Sequence, residues 1–176
     1  MSIENKRKEL LFSREDIQNR VKELGKQIAK DYEGKKILAV SLLKGSFIFA
    51  ADLVREIDAP VRIEFMTTSS YGHGEETSGH VKVVHDLNMD LKDYDVLVID
   101  DIADTGLTME FVLEHLKAKN PASIKCCVLL DKPSRRKTEL EADYVGFTIP
   151  DKFIVGYGLN YGDYYRNVPY VFAFVD

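Results

Sequence analysis

The chain has 176 residues, 45% hydrophobic and 30% charged, a composition that suits one globular domain with a substantial core and excludes long disorder. The balance of 29 acidic against 24 basic residues gives a net charge of −5, which excludes a general basic surface for nucleic acid but leaves room for a local basic pocket. No apolar run reaches bilayer-spanning length and MSIENKRKELLF has no signal-peptide core, so a cytoplasmic protein without membrane attachment is expected.

Ser13, with Glu15 and Asp16 just behind it, reads as a helix cap. Ile17, Val21, Leu24 and Ile28 recur at helical spacing, and the helix should end near Gly34. Ile37 to Leu43 has strand length and breaks at Lys44-Gly45-Ser46, after which FIFAADLVREI reads as a helix. Val61 to Met66 is the next strand. The glycine- and hydroxyl-rich TTSSYGHGEETSGH that follows is expected to be a mobile loop, and Val81 to Val84 resumes the strand pattern. Val96 to Ile99 and Ile124 to Leu130 are continuous apolar runs, as in strands covered on both faces. Between them Met109, Val112, Leu113 and Leu116 form the stripe of a helix stopped by Asn120-Pro121. Cys126 and Cys127 would point to opposite faces of their strand, so both are expected to be reduced and buried. Strands alternating with helices imply an α/β fold with a mainly parallel central sheet flanked by helices. From Asp143 onward the chain is less regular, with more Gly, Tyr and Phe, and is expected to form short strands and loops capping the sheet edge.

The stretch VLVIDDIADTG, Val96 to Gly106, carries the chemistry. Asp100, Asp101 and Asp104 fall at the carboxyl end of a buried strand, where open α/β sheets bind ligands. Thr105, Gly106, Leu107 and Thr108 open the next helix, where free N–H groups and hydroxyls make an anion cradle. Acids beside a phosphate cradle make sense as acceptors for sugar hydroxyls, so the pattern describes a grip for ribose 5-phosphate. The alternative is a solvated acidic turn in which Asp104 only caps the helix.

This motif resembles the phosphoribosyltransferase signature. LLKGS (42–46), SSYG (69–72) and the spaced LLDKPSRR, VGFTIPDKFIVGYGLNY and YRNVPY narrow the resemblance to the hypoxanthine-guanine phosphoribosyltransferase family, in order from about residue 8 to 172. The resemblance implies a single domain, with a core over about 35–140. A small hood, from about 143–176 plus the N-terminal segment, would lie over the base site. It also implies Mg²⁺-dependent transfer of a phosphoribosyl group from phosphoribosyl pyrophosphate to a 6-oxopurine.

Carried over, Asp100 and Asp101 would take the ribose hydroxyls, and Asp104, Thr105, Gly106, Leu107 and Thr108 the 5′-phosphate, with Asp104 also acting as base or proton relay near purine N7. Lys44, Gly45, Ser70, Tyr71 and Arg166 would receive pyrophosphate, the first two in a turn where the family uses a cis peptide. Lys132 would donate to O6, Phe153 would stack on the base and Ile154 would meet its edge. Asp100, Asp101 and Asn160 are the metal candidates. The glycine-hinged loop from Ser69 to His80 would close as a lid against water. The spacing of His73, His80 and His85 gives no convincing transition-metal set. A homodimer or homotetramer is the assembly usual in the family.

Two positions depart from the family pattern. Asp100 stands where the family usually has Glu, shortening the reach to ribose. Asn160 stands where the family has Asp, removing a charge from a second Mg²⁺ site. These departures keep open a regulatory protein with the same ligand grip but little turnover, and a related transferase preferring xanthine is a closer competitor. A phosphoacceptor receiver domain would carry its acid pair after the first strand, whereas here it lies past the midpoint.

Overall fold

The computed structural model describes residues 6–71 and 80–175. Its larger sheet has the order β4-β3-β2-β5-β6-β7. The strands are β2 (Ile37–Leu43), β3 (Val61–Tyr71), β4 (His80–His85), β5 (Asp95–Ala103), β6 (Ser123–Asp131) and β7 (Tyr144–Thr148), and all pairs are parallel except β3 with β4. Helices α1 (Arg14–Asp31), α2 (Phe47–Arg55) and α3 (Leu107–Lys117) flank it. A smaller antiparallel sheet joins β1 (Arg7–Phe12), β9 (Val171–Val175) and β8 (Ile154–Val155) in that order. The mainly parallel α/β architecture is thus as expected.

Helix α1 begins with a reciprocal capping box: the Ser13 hydroxyl accepts the Asp16 N–H at 3.0 Å, and the Asp16 carboxylate accepts the Ser13 N–H at 3.0 Å. Its stripe Ile17, Val21, Leu24 and Ile28 is fully buried. Alternation along the strands divides the core in two. Ile37, Ala39, Leu97, Ile99 and Cys127 pack with α1 and α2, while Leu38, Val40, Val96, Val98 and Cys126 pack with α3. The two cysteines therefore do face opposite ways, both buried and free. Burial pushes their thiols up, Cys126 to about 11, so neither is a ready thiolate.

Three expectations need correction. β5 does not stop at Ile99 but runs to Ala103, because β6 continues beside it and pairs Asp100 with Val128 and Ala103 with Asp131. β3 extends through Ser69 and Ser70 to Tyr71, where the ladder with β4 satisfies its backbone, so the loop begins later than Ser69. The other positions of that expectation, residues 72–79 with His73, lie outside the described residues. β7, placed with the capping segment on the sequence, belongs to the large sheet: it pairs with β6, and its buried Tyr144 donates to Asp31 at 2.7 Å.

Candidate active site

β5 carries the acid pair to the carboxyl edge of the sheet. The Asp100 carboxylate accepts the Asp101 N–H at 2.9 Å, and the Asp101 carboxylate accepts the Ile102 N–H at 2.8 Å. Burial first, then the neighbouring Asp101 charge, holds the Asp100 carboxyl well above the usual carboxylate range. Burial also raises Asp101, opposed by hydrogen bonds from Asp100 and the Ile102 N–H and by the Arg166 charge. Burial thus outweighs the Arg166 charge at the pair.

Beyond it the chain turns into α3. Gly106 caps that helix at φ +85°, and a Cβ there would meet the Thr138 hydroxyl at 2.4 Å. Asp100, Asp101, Asp104, Thr105, Gly106 and Thr108 line a cavity of about 240 Å³. The turn is braced from behind. Arg136 donates to the Asp104 carbonyl at 2.9 Å and pairs with Asp131, while the Lys137 N–H bonds the Thr105 carbonyl at 2.8 Å. Asp104 keeps one buried carboxylate oxygen, Oδ1, without a hydrogen-bond partner. A mere helix cap would use that oxygen, yet the N-cap position belongs to Gly106.

The other candidates converge on this edge. The Leu43–Lys44 peptide is cis, and the turn after it presses Gly45 against Asp101: a Cβ on Gly45 would lie 2.0 Å from Asp101 Oδ2. Gly45 in turn meets the 156–159 turn, since a Cβ on Gly158 would lie 2.2 Å from the Gly45 carbonyl oxygen. Arg166 donates to the Gly158 carbonyl at 2.6 Å and is close enough to Asp101 to lower its pKa. Lys44 itself is exposed. On the opposite side the Lys132 N–H bonds the Ala103 carbonyl at 2.9 Å. Its ammonium is buried, donates to the Lys152 carbonyl at 2.9 Å and lies 3.8 Å from Asp151.

Phe153 is 58% exposed with its ring edge-on to Tyr161 at 5.7 Å, so it is not a core residue, whereas Ile154 is buried in β8 opposite Ala173. Ser70 sits exposed in β3, and of Tyr71 only the backbone, paired with His80, is described. Asn160 is exposed and spends its amide N–H on the Gly162 carbonyl at 2.7 Å. Among the described residues no three His, Cys, Asp or Glu side chains converge as a complete protein-built metal site.

Sequence reasoning missed four supports. Arg136, Tyr157 and Asp52 act on loops from behind, and Glu9 of β1 pairs with Lys152 at 2.8 Å, tying the N-terminus to the loop beside Lys132. The RR doublet at 135–136 was a visible signal for the first; the others depend on contacts across more than 100 residues.

The fold and this edge define a phosphoribosyl-handling class, and comparison with known proteins agrees. The phosphoribosyl transferase domain family matches residues 13–162. A hypoxanthine-guanine phosphoribosyltransferase of Aquifex aeolicus is 52% identical over 175 residues, covering 99% of this chain and 98% of its own. A hypoxanthine phosphoribosyltransferase of Haemophilus influenzae is 50% identical over 166 residues, 93% of each chain. The crystal structure of a hypoxanthine phosphoribosyltransferase from Staphylococcus aureus superposes with a TM-score of 0.93 at 47% identity, covering 98% of this chain and 94% of that one. The chain belongs to the phosphoribosyl transferase family and, within it, to the hypoxanthine-guanine phosphoribosyltransferases. It is a transferase. Among the described residues no helix is long and apolar enough to cross a membrane.

Proposed function

We propose that the protein salvages purines by Mg²⁺-dependent transfer of the phosphoribosyl group from phosphoribosyl pyrophosphate to hypoxanthine and guanine, giving IMP or GMP and pyrophosphate. One observation carries this reading: the acid pair and phosphate turn at the end of β5 stand between the Gly45–Arg166 side and the buried ammonium of Lys132.

In the reaction the C1′–O bond to pyrophosphate breaks, the C1′–N9 bond forms, and the purine gives up one proton. Positive charge grows on the ribose as the leaving group departs, as in other substitutions at sugar carbons. Asp100 and Asp101 accept the ribose hydroxyls and place negative charge beside that carbon. The amides and hydroxyls of 104–108 hold the 5′-phosphate at the N-terminus of α3. Asp104, whose carboxylate lines the cavity at the end of β5, takes the purine proton at N7. Lys44, Gly45, Ser70, Tyr71 and Arg166 receive pyrophosphate, where the arginine balances the departing charge.

Lys132 donates to O6, and because an ammonium offers no acceptor it disfavours the 6-amino group of adenine. Phe153 supplies an open ring face for the base, and Ile154 contributes backbone at its edge. The hard oxygen donors of Asp100 and Asp101, with the Arg166 charge acting on Asp101 alone, fit Mg²⁺, and Asn160 would complete the candidate set through water on the metal. Bound there with the substrate, Mg²⁺ supplies charge neutralisation for the pyrophosphate oxygens. A homodimer or homotetramer is the expected assembly, and Ile63 and Phe65, on one face of β3 and 44% and 51% exposed, are apolar residues that such an interface would cover.

The test is a steady-state assay with hypoxanthine, guanine, xanthine and adenine, each with phosphoribosyl pyrophosphate and Mg²⁺. Turnover of the first two with adenine excluded is expected. Fast adenine turnover would contradict the role of Lys132, and no turnover with any base would favour a regulatory protein.

A further inference from the structure

Outside the substrate-facing residues, one half-buried contact joins the two loops that must meet around pyrophosphate. Tyr157 lies in the 156–159 turn at φ +50°, between Gly156 and Gly158, both at φ +102°. Three successive left-handed residues suit glycine, but a tyrosine there is strained by its Cβ and needs something to hold it. Its buried hydroxyl donates to the Asp52 carboxylate at 2.5 Å, and its N–H bonds the Val168 carbonyl at 2.8 Å. Asp52 belongs to α2, which starts directly after the 44–46 turn. The next residue, Gly158, touches the Gly45 carbonyl and exchanges two bonds with Arg166: its N–H donates to the Arg166 carbonyl at 2.9 Å, and its carbonyl accepts from the guanidinium at 2.6 Å.

We propose that the Tyr157–Asp52 hydrogen bond is a positioning device: it locks the turn that aims Arg166 onto the helix that follows the Lys44-Gly45 turn, and so sets the width of the pyrophosphate pocket. Neither side chain lines the cavity at the end of β5. The inference rests on the assignment of those two turns to pyrophosphate. A cavity of about 330 Å³, lined also by Gln18, Lys22 and Arg55, opens over the pair. Removing the tyrosine hydroxyl therefore leaves Asp52 facing polar space rather than stranded in the core, and the variant should fold.

The experiment compares wild type with Tyr157→Phe, Asp52→Ala, Asp52→Asn and the Phe/Ala double variant. It measures kinetics for each substrate, pyrophosphate affinity by calorimetry with Mg²⁺, and melting temperature. Tyr157→Phe and Asp52→Ala should each raise KM for phosphoribosyl pyrophosphate and Kd for pyrophosphate about five- to tenfold, the range of one hydrogen bond to a charged group transmitted in part. KM for hypoxanthine should stay unchanged, and the double variant should be no worse than either single one. Asp52→Asn keeps an acceptor for the hydroxyl and should restore wild-type values. Equal movement of both KM values, or a melting shift without a change in pyrophosphate affinity, overturns the inference. Wild-type protein that binds no pyrophosphate overturns the pocket assignment and the inference together.

Discussion

Gly45 and Asp101 touch so closely that a single added methyl on Gly45 would sit 2.0 Å from the carboxylate oxygen. The contact welds the 44–46 turn to the acid pair, so on the proposed assignment the ribose side and the pyrophosphate side of the site share one wall. Gly45→Ala must displace either the turn or Asp101. A misplacement of about 1 Å at a reacting centre costs on the order of 100-fold, and that loss is expected in kcat/KM for phosphoribosyl pyrophosphate. Binding of hypoxanthine to the Lys132 side should change little. Wild-type kinetics in Gly45→Ala would show that the wall is not shared.

The acid pair also fixes how stability responds to pH. Asp100 and Asp101 are raised in the folded protein, whereas an unfolded aspartate titrates at about 3.9. Between that value and the raised one, the folded chain binds more protons than the unfolded chain, so the pair's contribution to stability falls as pH rises. Below about pH 3.9 both states are protonated and the penalty vanishes. Asp100→Asn removes one charge, so its melting temperature should exceed that of wild type at pH 7 and converge with it towards pH 4. A difference independent of pH would refute this.

Lys132 has a buried ammonium already bonded to the Lys152 carbonyl. Lys132→Met keeps much of the volume and removes the donor. Hydrogen bonds to charged groups contribute about 1.5–3 kcal/mol, so KM for hypoxanthine should rise roughly 10- to 150-fold and the bias against adenine should collapse. Retained discrimination would place O6 recognition elsewhere.

Asn160 is the departure proposed to bear on metal. Its amide can accept hydrogen bonds from metal-bound water but adds no charge. Asn160→Asp should therefore lower the Mg²⁺ concentration giving half-maximal rate; indistinguishable Mg²⁺ curves would remove Asn160 from the metal account.

The parallel sheet was legible because its evidence is local: apolar runs in β2, β5 and β6, and a helix cap at Ser13. β1 was not, since RKELLF alternates poorly and forms a strand only by pairing with Val171–Val175 at the far end of the chain. The end of β5 was misjudged because Asp100 and Asp101 look like a strand terminator, although their backbones remain in the ladder with β6 whatever their side chains carry. The acids, Lys132 and Arg166 could be named from motifs. The bonds of Arg136 to the Asp104 carbonyl and of Tyr157 to Asp52 could not, because each joins segments distant in sequence.

On the proposed reading the edge beyond β5 transfers a phosphoribosyl group with Asp104 as the proton acceptor. The most direct test of that reading follows IMP and pyrophosphate together from hypoxanthine, phosphoribosyl pyrophosphate and Mg²⁺, in wild type and Asp104→Ala. One IMP per pyrophosphate is expected in wild type, and a kcat in Asp104→Ala lower by about 10²–10⁴-fold, the range of general base catalysis. Because the substitution removes an unpartnered buried oxygen, the melting temperature should not fall. Pyrophosphate release without IMP in wild type, or an undiminished kcat in Asp104→Ala, would contradict it.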